Sequence, residues 1–209
     1  MTSNIQQMLI NGFEQIGISH QSEQVEQLLT YLDLLEKWNA KYNLVADSDK
    51  ESMVNRHLLD SLSILPYVTG EKIVDLGSGA GLPGIPLAIF NPQRHFILID
   101  SNGKKTRFLF QVKTALNLNN VIIENCRVES YQCTHQIDMV TCRAFSALND
   151  IVTKSKHLLS QECKLLAMKG RFPAQEIESL PEEFSVTKIV KLPVPGTDSE
   201  RHLIEVIRH

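Results

Sequence analysis

Apolar residues recur at spacings of three and four through the first third of the chain and then gather into short unbroken runs. That change of period divides the sequence. Ile5, Met8, Leu9, Phe13 and Ile16 mark one amphipathic helix, and Val25, Leu28, Leu29, Leu32, Leu35 and Trp38 mark a second that runs to WNAKYNL. Ser19 and Ser22 stand where a cap would begin it. Met53, Val54, His57, Leu58, Ser61, Leu62 and Leu65 share a stripe that predicts a third helix, ended by Pro66. From Glu71 onward buried runs alternate with helical stretches, the pattern of a parallel sheet covered on both faces. Residues 72–76, 95–100 (HFILID), 121–128, 137–142 and 164–168 read as strands. Residues 103–118, 146–159 and 173–180 read as helices, the first capped by Ser101 or Asn102. Two β-rich runs, 184–192 and 203–207, are separated only by the turn material PVPGTDSERH, so they should pair antiparallel. The expected fold is α/β and Rossmann-like, a mostly parallel sheet ending in an antiparallel hairpin. A small helical N-terminal extension occupies 1–68 and the α/β domain 69–209.

One stretch carries chemistry. KIVDLGSGAGLPGIP places a buried strand before Gly77, Gly79 and Gly81, and Pro83 and Pro86 suit the first turn of a following helix. A sharp glycine turn at a helix start brings backbone N–H groups toward a ligand, as nucleotide-like cofactors require. Asp100 ends the neighbouring strand, where a carboxylate can accept from ribose hydroxyls. Two cofactors fit these features. Read from Gly79 through Gly84, the turn satisfies the dinucleotide pattern G-x-G-x-x-G. The strand ends at Leu76, however, which makes Gly77 the first turn glycine, and Asp75 just before it suits a cationic amino-acid group and repels pyrophosphate. No second domain remains for a hydride acceptor, so S-adenosyl-L-methionine is the reading that context favours.

Composition narrows the setting. The 209 residues are 43% hydrophobic, 22% charged and 6% aromatic, which fits one globular domain with a small appendage. No apolar run approaches the roughly 18 residues of a membrane helix, and Met1 to Ile16 lacks the build of a signal peptide, so a cytoplasmic protein without membrane contact is expected. Cys126, Cys133, Cys142 and Cys163 form no C-x-x-C pair, and neither a metal site nor a redox motif is indicated. The net charge of −3 means that a nucleic-acid binder would have to gather its cations on one face.

Motifs that are missing constrain the methyl acceptor. The fourth strand runs into CRAFSAL and not into the N/D-P-P-Y/F turn that meets exocyclic amines. Cytosine C5 needs a cysteine nucleophile, and Cys142 lacks a preceding proline and a partner cysteine, so it reads as a core thiol. Guanine N7 already carries a nucleophilic lone pair and asks only for alignment and exclusion of water. A site without an evident base is consistent with that acceptor.

WNAKYNL, RHLLDSL, DLGSGAGLPGIPLAI, LIDSNGKKTRFL, CRAFSAL, MKG and ERHLIEVI together resemble the bacterial 16S ribosomal RNA guanine-N7 methyltransferases, also called glucose-inhibited division protein B, over nearly the whole chain. The resemblance implies a class I S-adenosylmethionine-dependent methyltransferase, expected as a monomer, that acts on a guanine of 16S ribosomal RNA in the small subunit or its assembly intermediate, by resemblance guanine 527. It implies cofactor contacts at Gly77, Leu82, Val128, Glu129 and Arg143, to which the sequence itself adds Asp75, Gly79 and Asp100. Asn102 and Ala80 are positions where the chain departs from its relatives. Arg143, Lys169 and Arg201 are the candidates for arranging RNA and cofactor, and Lys104, Lys105, Arg171 and His202 for nucleic-acid contact. An arginine directly after a buried strand is costly unless a carboxylate or a ligand pairs it. His57 and Trp38 read as core residues.

Overall fold

The computed structural model describes residues 4–133, 135–197 and 199–209. Asp198 of the expected turn, and residues 1–3 of the stretch read for a leader, lie outside the described residues. The helical period of the first third gives α1 (Asn4–Gln15) and α2 (Ser22–Tyr42). Neither Ser19 nor Ser22 caps α2. Gln21 takes the N-cap position, and its N–H donates to Gln24 Oε1 at 2.8 Å, so a reciprocal glutamine pair replaces the hydroxyl. The third expected helix is broken into α3 (Lys50–Met53), a π-helical turn (Val54–Leu59) and α4 (Asp60–Leu62). A widened turn of this kind re-aims side chains and is frequent at functional sites.

The strands are β1 (Lys72–Leu76), β2 (His95–Ile99), β3 (Val121–Glu124), β4 (Met139–Arg143), β5 (Lys164–Lys169), β6 (Phe184–Lys191) and β7 (His202–Arg208). They form one sheet in the order β3-β2-β1-β4-β5-β7-β6, with β1 to β5 parallel and β7 antiparallel to both β5 and β6. The closing hairpin follows from a connection that contains no helix. The third strand is shorter than the apolar run suggested: it ends at Glu124, and Val128–Ser130 form a 3₁₀ turn. The helices of this half are α5 (Gly84–Phe90), α6 (Gly103–Ala115), α7 (Leu148–Ser155) and α8 (Ala174–Glu178). Asn102 caps α6 by accepting from the Lys104 N–H at 2.9 Å.

Side chains alternate across the strands and build two cores. On one face Ile73, Phe96, Leu98 and Leu166 pack with α5, α6 and the N-terminal helices, whose Leu9, Phe13, Leu28, Leu32, Leu58 and Leu62 belong to the same cluster. On the other Val74, Leu76, Val140, Leu165 and Ile204 pack with Ile151 and Val152 of α7. Residues 4–62 therefore pack on the α5 and α6 side of the sheet and share one core with it. Trp38 is part of that wall, its ring beside Phe108 and its N–H donating to Gln111 at 2.6 Å. No described helix is long and apolar enough to cross a membrane.

Candidate functional site

In open parallel sheets, ligands bind beyond the carboxyl ends of the strands where the order reverses. Here that point lies between β1 and β4, and two cavities meet there. The first, about 480 Å³, is lined by Gly77, Asp100, Asn102, Lys105, Val128, Glu129 and Phe145, among others. The second, about 330 Å³, lies over β4 and β5 and is lined by His57, Asp60, Cys142, Arg143, Phe145, Lys169, Gly170 and Arg201, among others. Both volumes lie within the size range of ligand sites. Ala144, with φ of 52°, and Phe145 form the wall they share.

The glycine turn does not present open N–H groups as its sequence suggested. Ser78 N–H donates to the Ile99 carbonyl, and the Gly81 and Leu82 N–H groups donate to the Ser78 carbonyl. Gly79 N–H donates to Asp100 Oδ2 at 2.9 Å, and Gly84 N–H, at the start of α5, donates to Asp75 Oδ2 at 3.1 Å. A pyrophosphate would find these donors taken and the Asp100 carboxylate beside it. Occupied turn donors count against a dinucleotide, while Asp100 and Glu129 offer carboxylates to a nucleoside with a cationic arm.

Asp75 is fully buried beneath the turn and opens onto neither cavity, so it supports the turn instead of lining it. Its Oδ1 has no partner among the described residues. Burial pushes its pKa up to about 7, opposed by the Gly84 hydrogen bond and the Arg143 charge and reinforced by Asp100. Because the folded value lies above the unfolded value of 3.8, the folded protein holds a proton that the unfolded chain gives up between these values. Stability should therefore fall as pH rises through that window, by up to about 1.4 kcal/mol per pH unit from this group. Asp75→Asn should flatten the slope, which urea unfolding of both proteins between pH 4 and 8 will measure; parallel curves would refute the assignment.

The other expected cofactor residues separate. Gly77, Asp100, Val128 and Glu129 line the first cavity, and Lys105 joins them. Asp100 is only 7% exposed, and its Oδ1 already accepts from Asn102 N–H, so a ribose would share oxygens in use. Leu82 is buried, 4% exposed, and packs inside the turn. Arg143 is the last residue of β4 and faces the second cavity.

There the cost of a semi-buried arginine is met by a carboxylate from the helical extension. Asp60, 2% exposed, accepts from Arg143 Nη1 on Oδ2 and from Arg201 Nε on Oδ1, both at 3.0 Å. Arg143 Nη1 also donates to the Arg56 carbonyl at 3.1 Å. Asp47 holds Arg56 at 2.8 Å and His57 at 3.1 Å. Burial, with Arg143 alongside, pushes the His57 pKa down to about 4, so the ring is neutral at pH 7. Lys169 donates to the Ser146 carbonyl at 2.6 Å and to Glu176 at 2.7 Å. Arg56, Arg143, Lys169 and Arg201 thus outnumber Asp47, Asp60 and Glu176. This is the local positive excess that a polyanion requires of an acidic protein.

Among the residues expected at nucleic acid, Lys104 and Arg171 are exposed outside both cavities. His202 is a correction: it is 8% exposed in the sheet, and its Nδ1 lies 2.8 Å from the Gly170 carbonyl, so it secures the loop after β5 and offers no open face. Asp60, Asp47, Phe145 and Glu176 were not singled out from the sequence. The signal for Asp60 was present, a carboxylate among the leucines of RHLLDSL, which burial permits only with a partner.

Residues 24–204 match the family model described as rRNA small subunit methyltransferase G. A curated ribosomal RNA small subunit methyltransferase G from Nitrosococcus oceani is 48% identical over 99% of this chain and 96% of its own length. Its counterpart from Saccharophagus degradans is 51% identical over 91% of this chain and 86% of its own. Among solved structures, magnesium protoporphyrin IX methyltransferase from Synechocystis, with bound S-adenosylmethionine, superposes with a TM-score of 0.62 at 13% identity, covering 86% of this chain and 97% of that one. A methyltransferase from Thiobacillus denitrificans in complex with S-adenosyl-L-homocysteine gives 0.54 at 12%, covering 73% and 91%. At these identities the solved structures speak for the fold alone.

Proposed function

The chain belongs to the rRNA small subunit methyltransferase G family, and we propose that it moves a methyl group from S-adenosylmethionine to N7 of a guanine in 16S ribosomal RNA. The observation that carries this is the pair of adjoining cavities, one built on the glycine turn with Asp100 and Glu129 in its wall, the other lined by Arg56, Arg143, Lys169 and Arg201. S-adenosylmethionine, when bound, supplies the methyl as a substituent of an electrophilic sulfonium. Gly77, Asp100, Val128 and Glu129 would hold it, with Asp75 and Gly79 supporting the turn.

The protein's part is placement. Guanine N7 attacks with its own lone pair, so no proton moves and no general base is needed; positive charge passes to the guanine ring. Arg143 and Arg201, each fixed on Asp60, keep further N–H groups free for guanine O6 or a phosphate oxygen, and Lys169 adds a third cation. Cys142 is excluded as a nucleophile, because burial pushes its thiol up to about 12. Ala144 and Phe145 stand between the two cavities, where donor and acceptor would meet.

Gly77 has φ of 62°, and a Cβ there would lie 2.3 Å from Phe145 Cδ2. Gly77→Ala should therefore cost about 1–2 kcal/mol of stability from the backbone alone. It should also weaken S-adenosylmethionine binding, read by calorimetric titration; unchanged affinity would remove Gly77 from the cofactor wall.

The remaining particulars complete the reading: a cytoplasmic monomer that acts on the small subunit or its assembly intermediate, with residues 1–68 and 69–209 as two architectures in one folding unit. The test is transfer of tritium from labelled donor to small subunits from a strain lacking the modification, with the base mapped. Incorporation at a guanine N7, expected at position 527, supports the reading; no incorporation, or label on another atom, overturns it.

A further inference from the structure

N7 lies on the edge of guanine that faces the major groove. In an RNA helix that groove is deep and too narrow for side chains to read, so a protein reaches N7 only on a base drawn out of its stack. Drawing it out uncovers the face of the neighbouring base, at a cost of a few kcal/mol for the lost stacking. A protein that provides a replacement surface at the mouth of its acceptor cavity recovers part of that cost.

The described residues include four large apolar side chains that are well exposed: Phe110, Ile122, Phe172 and Ile189. Phe110 is on α6, Ile122 on the edge strand β3 and Ile189 on the edge strand β6. Phe172 alone lies beside the second cavity. It follows Gly170, which lines that cavity, and Arg171, which is exposed. The residue is 51% exposed, yet its ring is held in a T-shaped pair with His202, centroids 6.0 Å apart and planes at 65°, and His202 is itself anchored on the Gly170 carbonyl. Buried Pro173 fixes the other end of the segment. A half-exposed aromatic residue braced by a second ring, beside the exposed Arg171 and on the loop that leads out of a cavity lined by Lys169 and Arg201, is the combination of flat platform and cations that binds unpaired nucleic acid.

We propose that Phe172 is a stacking platform for an unpaired base flanking the target guanine, with Arg171 on the adjoining phosphate. This rests on the RNA-methylation reading above. The ring is a positioning group and touches no reacting atom, so it acts on RNA affinity and not on the chemical step.

The experiment compares wild type, Phe172→Ala, Phe172→Leu and Phe172→Trp in transfer to small subunits from a strain lacking the modification, alongside calorimetric titration of S-adenosylmethionine. Phe172→Ala should raise the KM for RNA roughly ten-fold, with kcat within about two-fold and cofactor affinity unchanged. Phe172→Trp should restore the wild-type KM, and Phe172→Leu, apolar but not aromatic, should not. An unchanged KM for Phe172→Ala, or Phe172→Leu performing as well as Phe172→Trp, overturns the platform while leaving the methyltransferase reading intact. A wild-type protein that methylates no RNA overturns both.

Discussion

Replacing Arg143 with alanine is expected to lower methyl transfer by at least about 100-fold, the scale of losing one preorganised donor from a reaction centre, while far-ultraviolet circular dichroism stays native. The fold should survive because Asp60 keeps Arg201 as a partner at 3.0 Å, so its buried carboxylate is not left unpaired. The loss should appear in kcat, since Arg143 stands at the wall where donor and acceptor meet and not on the outer rim. Cofactor affinity separates two roles for this side chain. Lower transfer with normal S-adenosylmethionine binding assigns Arg143 to the acceptor side, where its Asp60 contact places it; a parallel loss of binding restores the cofactor contact that the family resemblance implies. Activity equal to wild type would remove Arg143 from the mechanism.

The second large effect is expected at Asp60. Changing it to asparagine keeps the volume but leaves two arginines, with side chains 17% and 19% exposed, without their shared carboxylate. Removing one member of a buried ion pair costs about 3–5 kcal/mol, or a fall in melting temperature of about 10 °C for a chain of this size. Transfer should fall with it, because both guanidinium groups lose the anchor that orients them. The double variant with Arg143→Ala should be less destabilised than the sum of the two single changes, since the second removes a charge that the first leaves unpaired. Strict additivity would mean that the contact carries no coupling.

Most of the sheet was legible because a buried parallel strand leaves an unbroken apolar run and its turns leave glycine and proline. The ends of elements were less so. The run 121–128 reads as one strand, yet backbone pairing stops at Glu124 and a 3₁₀ turn carries Val128 and Glu129 to the cavity. Sequence period registers burial, which continues, and not ladder hydrogen bonds, which end. In the site, the residues that carry charge after a strand were found, and the residues that answer them were not. Arg143 announces itself by following an apolar strand, whereas its partner Asp60 lies 83 positions away, and no local pattern reports a contact of that range. Tyr31 is the same case: it looks like core, but its hydroxyl donates to the Ala80 carbonyl at 2.7 Å and ties α2 to the glycine turn.

The place of β7 decides whether the arginine cavity is closed. It is the last strand in the chain, yet it lies between β5 and β6, and Arg201 just before it reaches Asp60 across 141 positions. One wall of the arginine cavity therefore depends on the placing of this strand. The acceptor cavity is thus complete only with β7 seated between β5 and β6, so loosening of that strand should open the cavity by taking Arg201 from Asp60 while leaving β1 and the glycine turn paired with β2 and β4.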